Sequence, residues 1–516
     1  MELNNDQLYS LSTLSISLVL ITSIIWYIKS FFIKKPSSPL PPGPRGLPII
    51  GYLPFLGDNL VRQFTELGHK YGPVYKLQLG AKLCVVVSSK PLIKEVVRDK
   101  DTIFAHRDPQ VGGLVATYNG NDIAWAKPDT QWRRMRKIFM HELLSSDNLK
   151  ASFKLRRDVV RKTIRFVHTN LQTGEPMGIG DLIFRTELDL LMNLLWGGTI
   201  EGKEGERLEA EFRNAITDII DLVGKPNISD FFPVLAFLDI QGVKRKMKGL
   251  HHFVDTIFDS AIAERGKKLS GGIITNEGRK DFLQILLELK ETQGSEMSIT
   301  QLKAMLMDIV VGGTDSSAMT IEWAISELLN HPEFMAKVQK ELSDIIGTNN
   351  VVEEFHLPKL TYLQAVLKET MRLHPALPLM IPRCPPESAT LGGFTVPKNT
   401  RVLINIYAVQ RDPSIWENPT EFRPERFLDN VEQKSDFSGN NFGYLPFGSG
   451  RRLCAGLALA EIMLMYLLAS LLHSYDWKLP EGETLDMTEK FKIILRKKKP
   501  LLAIPSPRLS DPKLYV

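Results

Sequence analysis

The chain has 516 residues, 43% of them hydrophobic, enough to bury a large core. Lys+Arg 64 against Asp+Glu 59 leaves a net charge of +5, too small an excess to point to nucleic acid. The three cysteines, Cys84, Cys384 and Cys454, exclude a disulfide framework and fit a reducing compartment.

From Leu11 to Ile28 the chain carries no charge, a run just long enough to cross a bilayer core. Trp26 and Tyr27 stand at its end as an interfacial belt, and Lys29, Lys34 and Lys35 come next. The residues before it hold Glu2 and Asp6 but no Lys or Arg, so the basic flank and the chain beyond residue 35 should face the cytosol. No positive leader or small-residue cleavage site marks a removable signal. Residues 1–35 are therefore expected to be a membrane anchor. The proline-rich run PLPPGPRGLPIIG makes 36–51 a stiff extended hinge. No Gly/Ser linker or repeat interrupts residues 52–516, which are expected to be a single large domain. The sequon Asn227-Ile228-Ser229 would lie on the cytosolic side and stay unmodified.

Residues 71–89 hold short β-rich runs broken at Gly80 and predict a strand pair; 392–410 predicts strands again. Helical patterns cover Gln131–Leu143, Lys154–Asn170, Leu208–Leu222, Val243–Arg265 and Asp281–Thr292. They continue at Ile299–Asn330, Tyr362–Leu373 and Leu457–His473. The expected class is mainly α with a small β portion.

Within these elements some residues carry chemistry. Trp132 and Arg136, at i and i+4, offer an indole N–H and a guanidinium to an anion. Gly312 and Gly313 sit inside the longest helix, where each costs about 1 kcal/mol relative to Ala, so they call for a close neighbour or an open groove. Ser316, four residues on, is placed to bond the Gly312 carbonyl. Glu369 and Arg372 share a helix face and by spacing alone read as a surface ion pair. Cys454 follows a glycine-rich turn and precedes an apolar helix, whose N–H groups and dipole favour a metal-binding thiolate. Gly448 and Gly450 would let backbone pass close to a flat ligand.

Phe447, Gly450, Arg452, Cys454 and Gly456 match Phe-x-x-Gly-x-Arg-x-Cys-x-Gly, and the loop resembles the cysteine-ligand loop of the cytochromes P-450. The likeness runs along the whole chain. The anchor, PPGPRGLPIIG, FGSGRRLCAG and the end FKIILRKKKPLLAIP look like plant microsomal members, nearest to those that oxidise terpenes and other specialised metabolites. The resemblance implies the cytochrome P-450 fold and haem b (iron protoporphyrin IX), with Cys454 as the metal ligand that favours O–O cleavage. Trp132, Arg136, Arg383 and Arg452 would bind the cofactor through its propionates, with Arg107 a further candidate. Asp315 and Ser316 would be the catalytic proton relay, Ser316 standing where the family usually has Thr. Glu369, Arg372 and Arg426 of FRPERF would form a buried structural lock.

The activity so implied inserts one atom of O2 into a small lipophilic substrate, a mono- or sesquiterpene first and a flavonoid or phenylpropanoid second. Electrons would come from NADPH through NADPH–cytochrome P-450 reductase; Arg133, Arg134, Lys137 and Arg451 read equally as a basic docking face for it or as a solvated basic surface. The place would be the endoplasmic reticulum membrane, single-pass, with lipid as a partner at residues 230–241. An O2-independent isomerase or dehydratase is disfavoured by the intact Asp315/Ser316 pair and cysteine loop. A haem sensor or electron carrier would form no product. The pocket walls are expected from 104–125, 211–240, Met305/Asp308/Ile309/Gly312, Ala376–Ile381 and Phe491–Ile494. Asp308 is expected to bond a neighbouring backbone rather than a substrate group.

Overall fold

The apolar run after Cys454 folds as one helix, Leu457–Ser474, buried continuously from Met463 to Ser474. Hydrophobic on all sides, it can only be a core element. It is also the one helix among the described residues long and apolar enough to cross a membrane, and its burial inside the domain accounts for that composition. The computed structural model describes residues 39–198, 203–270, 280–292, 297–428 and 436–516, with Ser17, Ile21 and Thr22. The expected anchor, residues 1–35, lies outside the described residues apart from those three.

The architecture is mainly helical with small sheets, as expected. The long helix Ile299–Asn330 begins at a capping box, in which Ser298 and Gln301 each satisfy the other's backbone N–H. It runs through the centre of the domain and packs against Ile179–Trp196, a helix absent from the sequence reading, as were Leu60–Tyr71 and Pro332–Ile345. The other expected helices form within a few residues of their predicted ends. Thr130–Ile138, capped by Asp129, widens into a π-helical turn over Phe139–Leu143.

Val74–Leu79 and Lys82–Val87 form the expected hairpin about Gly80, whose φ of +58° suits the turn. The second strand pairs in parallel with Arg401–Ile404, Cys84 opposite Arg401. The strands expected over 392–410 end there. Ile406–Val409 is a helical turn instead, because the Asn405 side chain accepts the Ala408 N–H at 3.0 Å and caps it.

Residues 39–51 lie against this sheet. The Pro42 carbonyl accepts the Lys76 N–H at 2.8 Å, and the Pro39 carbonyl accepts that of Thr395 at 2.9 Å. Prolines lack N–H groups but keep these acceptors. Gly43 and Gly51 permit the approach, since a Cβ on either would fall 2.1 Å from a strand carbonyl oxygen.

Candidate functional site

Cys454 sits in the turn between Gly450–Arg452 and the core helix, its N–H donated to the Phe447 carbonyl at 2.9 Å. Gly450 has a φ of +65°, and a Cβ there would lie 2.2 Å from the Val97 carbonyl oxygen. Close packing on the 95–99 turn, rather than on a flat ligand, explains that glycine. Burial pushes the Cys454 thiol up, while the Gly456 N–H and the Arg136 guanidinium pull it back. Desolvation wins in the free protein, so ionisation there would come with a metal.

The cysteine opens onto a cavity of about 430 Å³. Its opposite wall is the long helix. Gly312 meets nothing within 4 Å of an added Cβ, so the groove expected there is present. Gly313 serves helix packing instead, with Leu191 Cδ1 2.8 Å from where its Cβ would stand. Ser316 lines the cavity and donates its hydroxyl to the Gly312 carbonyl at 3.1 Å, as its spacing predicts. Asp315 does not line it. Its carboxylate, raised by burial and lowered by Arg496, accepts from that guanidinium at 2.6 Å on another side of the helix. Arg496 reaches on to Asp221 at 3.4 Å.

Arg107, Arg136, Arg383 and Arg452 also line the cavity. Arg383 pairs with Asp101 at 2.9 Å, while Arg452 donates to the carbonyls of Ala105 and Ile123, each at 2.8 Å. Burial holds Arg107 well below its ordinary range, with repulsion from Arg452 and Arg383 added. Its Nε is buried with no partner. A wall of crowded guanidiniums beside a thiol and an open groove has the donor set that an anionic, iron-bearing macrocycle requires. The residues therefore fit haem, Arg107 more closely than its sequence context suggested. Trp132 sits one layer back: its N–H is donated to the Ile123 carbonyl at 2.9 Å, and its ring lies 4.5 Å from the Arg452 guanidinium carbon.

The remaining walls are mainly apolar, among them Ala116, Ile220, Ala376, Leu377, Ile381 and Ile494, with Asn148, Ser152, Glu187, Ser317 and Thr320 as polar members. Met305 and Phe491, expected in the pocket, instead pack into the core. Asp308 lines the cavity but accepts the Ile123 N–H. It is pushed well up by burial and by the neighbouring Asp122 carboxylate.

Behind the site, Glu369 and Arg372 are fully buried, not a surface pair. Arg372 grips Glu369 through two bonds, 2.7 and 2.8 Å, and Arg426 Nε donates to the same carboxylate at 2.9 Å. Arg372 also donates to the Gln410, Pro419 and Glu421 carbonyls, tying the helix to the segment before the cysteine loop.

The family profile described as Cytochrome P-450 matches residues 41–504. A flavonoid 3'-monooxygenase of Crocosmia x crocosmiiflora is 37% identical over 504 residues, covering 96% of this chain and 98% of that one. A geraniol 8-hydroxylase of Swertia mussotii is 37% identical over 492 residues, 95% and 97% of the two chains. Among solved structures, a zebra fish cytochrome P-450 with progesterone superposes with a TM-score of 0.74 at 25% identity, covering 87% of this chain and 99% of that one.

Proposed function

The chain belongs to the cytochrome P-450 monooxygenase family, and from that premise we propose that it is a membrane-anchored hydroxylase of a small lipophilic plant metabolite. A mono- or sesquiterpene is the favoured substrate. The observation that carries this reading is the cavity above Cys454, whose walls are mainly apolar. Asp308 is already engaged by the Ile123 N–H. A flavonoid or phenylpropanoid is the second reading, because relatives named for flavonoid and for geraniol oxidation are about equally similar to this chain.

In this proposal Cys454 would ligate the haem iron, and Arg107, Arg136, Arg383 and Arg452 would hold its propionates, with Trp132 supporting Arg452. The haem, when bound, supplies activation of O2. Ser316 holds a proton at its Oγ beside Gly312, and Asp315, on another side of the helix, is tied through Arg496 to Asp221. The apolar walls orient the substrate. Electrons are proposed to come from NADPH through NADPH–cytochrome P-450 reductase at the endoplasmic reticulum membrane. The reading is tested by turnover of a terpene and flavonoid panel in reductase-containing microsomes, with product analysis. Oxygenated terpenes at a rate above that for flavonoids support it; flavonoid products alone would transfer the assignment to the second reading.

What supports a lipid partner is an exposed apolar face. Val234 and Phe237 are 79% and 80% exposed, beside Leu238 and Ile240. The β-hairpin turn joins this segment to Leu47, Ile49 and Ile50, because Gly80 N–H bonds the Ile50 carbonyl and Ala81 N–H that of Phe231. Such a patch is expected of a membrane-contacting surface. Asn227 is 1% exposed, which adds a second reason for that sequon to stay unmodified.

A further inference from the structure

The helix Ile179–Trp196 is buried along most of its length, yet it carries Glu187 at 3% exposure. Glu187 Oε1 is buried without a hydrogen-bond partner. A carboxyl in that position costs stability, and a leucine there would not. Burial alone pushes it up to about 8, so at neutral pH it is mostly the uncharged acid and can donate a proton.

Its placement relative to the site follows from the packing of two helices. Gly180 lies against Met319 and Glu322 of the long helix, whereas Leu191 lies against Gly313. The helices are therefore antiparallel, and Glu187 falls level with Ser316 and Ser317. It lines the same cavity as Ser316, Ser317, Thr320 and Cys454. Thr320 Oγ1 bonds the Ser316 carbonyl at 2.8 Å and Ser317 Oγ the Gly313 carbonyl at 3.3 Å, leaving hydroxyl lone pairs as acceptors. The cavity wall continues through Leu149 and Ser152 to Asn148 and to Lys280, an exposed residue paired with Glu288. Asp315 takes no part in this wall.

We propose that Glu187 carries protons from solvent, at the Lys280 end of the cavity, to the Ser316–Thr320 hydroxyls by a route separate from Asp315. The inference rests on the monooxygenase reading, in which one oxygen atom of O2 leaves as water and so consumes two protons and two electrons, the electrons coming from NADPH through the reductase. In each transfer the Glu187 O–H bond breaks and its proton passes to a cavity water or hydroxyl, which releases its own proton onward. The carboxylate is then reprotonated by water entering at Asn148 and Lys280.

Two measurements on the haem-loaded, full-length enzyme test this. Infrared spectra at pH 7 are expected to contain a carboxylic acid C=O band that shifts in D2O and is lost in Glu187→Gln. With reductase and NADPH, Glu187→Gln is expected to raise peroxide released per NADPH several-fold, Glu187→Asp to restore part of the coupling, and Glu187→Gln with Asp315→Asn to uncouple more than either alone. An absent band in the wild type, or unchanged coupling in Glu187→Gln in both backgrounds, overturns the proposal. Ser316→Ala separates the two failures. If it uncouples while Glu187→Gln does not, only the Glu187 route falls; if neither uncouples, the assignment of Ser316 falls with it.

Discussion

Arg107 turns its guanidinium into the wall where Arg383 and Arg452 already sit, with one nitrogen left unpaired. Arg383 has Asp101 as counter-charge, but Arg107 and Arg452 donate to backbone carbonyls, and charge drawn out of water needs an opposite charge. Arg107→Leu is therefore expected to lower haem retained through purification several-fold. The loss should exceed that of Arg134→Leu, which removes a cation from the other face of the 130–138 helix. Haem-to-protein absorbance ratios measure it, and equal ratios in the two variants would count against the propionate role.

Cys454→Ser keeps the turn but removes the sulfur. The reduced carbonyl complex is expected to lose the red-shifted band that a thiolate opposite the ligand produces. Retention of that band would place the ligand elsewhere.

Local pattern marked Cys454, Arg136 and Ser316, whereas Arg383 and Arg452 were marked only by the family resemblance of the segments that hold them. It did not separate Asp315 from Ser316. Adjacent helical residues point about 100° apart; the cavity takes in Ser316 and Ser317 while Asp315 turns to Arg496, and only packing decides which side of the helix faces it. It likewise could not foresee that the Trp132 N–H would be taken by the Ile123 carbonyl, since how the irregular loop before that helix folds back carries no periodic signal. Glu187 carried no motif; a lone carboxylate in an otherwise apolar helix was the available signal, and the helix itself went unread.

Glycines mark where elements approach each other, and they make different demands. Gly312→Ala removes helix-interior strain of about 1 kcal/mol and meets no atom within 4 Å. The holoenzyme is expected to gain stability in thermal unfolding, while oxidation of bulky substrates slows more than that of small ones. Gly450→Ala meets a backbone oxygen at 2.2 Å in a left-handed conformation, so the cysteine loop cannot close around it. That variant should express without haem.

The Glu369 lock acts between elements too. Removing its charge leaves Arg372 and Arg426 buried and unpaired, a loss of about 3–5 kcal/mol. Glu369→Gln is therefore expected to shift the denaturant midpoint sharply downward, whereas Glu417→Gln, on an exposed pair with Arg423, should barely move it. Spacing had suggested a surface pair here. The correct reading came from resemblance, since burial of residues this far apart in sequence is a tertiary property.

A group of exposed apolar side chains gathers where residues 47–50 and 228–240 meet at the hairpin turn. Each partner is distant in sequence, and composition showed only that both were apolar. A patch of this kind adds hydrophobic transfer energy to that of an anchor, at roughly 25 cal/mol per Å² of apolar area removed from water. Two attachments acting together hold far more tightly than either, provided both reach the bilayer at once. Deleting residues 1–28 is thus expected to weaken binding to neutral phosphatidylcholine vesicles without abolishing it. Adding Val234→Ser and Phe237→Ser should release the remaining fraction, with haem content unchanged because neither side chain touches the cavity. Flotation of the two proteins with vesicles decides the matter. If the truncated protein stays entirely unbound, or binds equally with and without the two serines, this face does not meet the membrane, and substrate must enter from water.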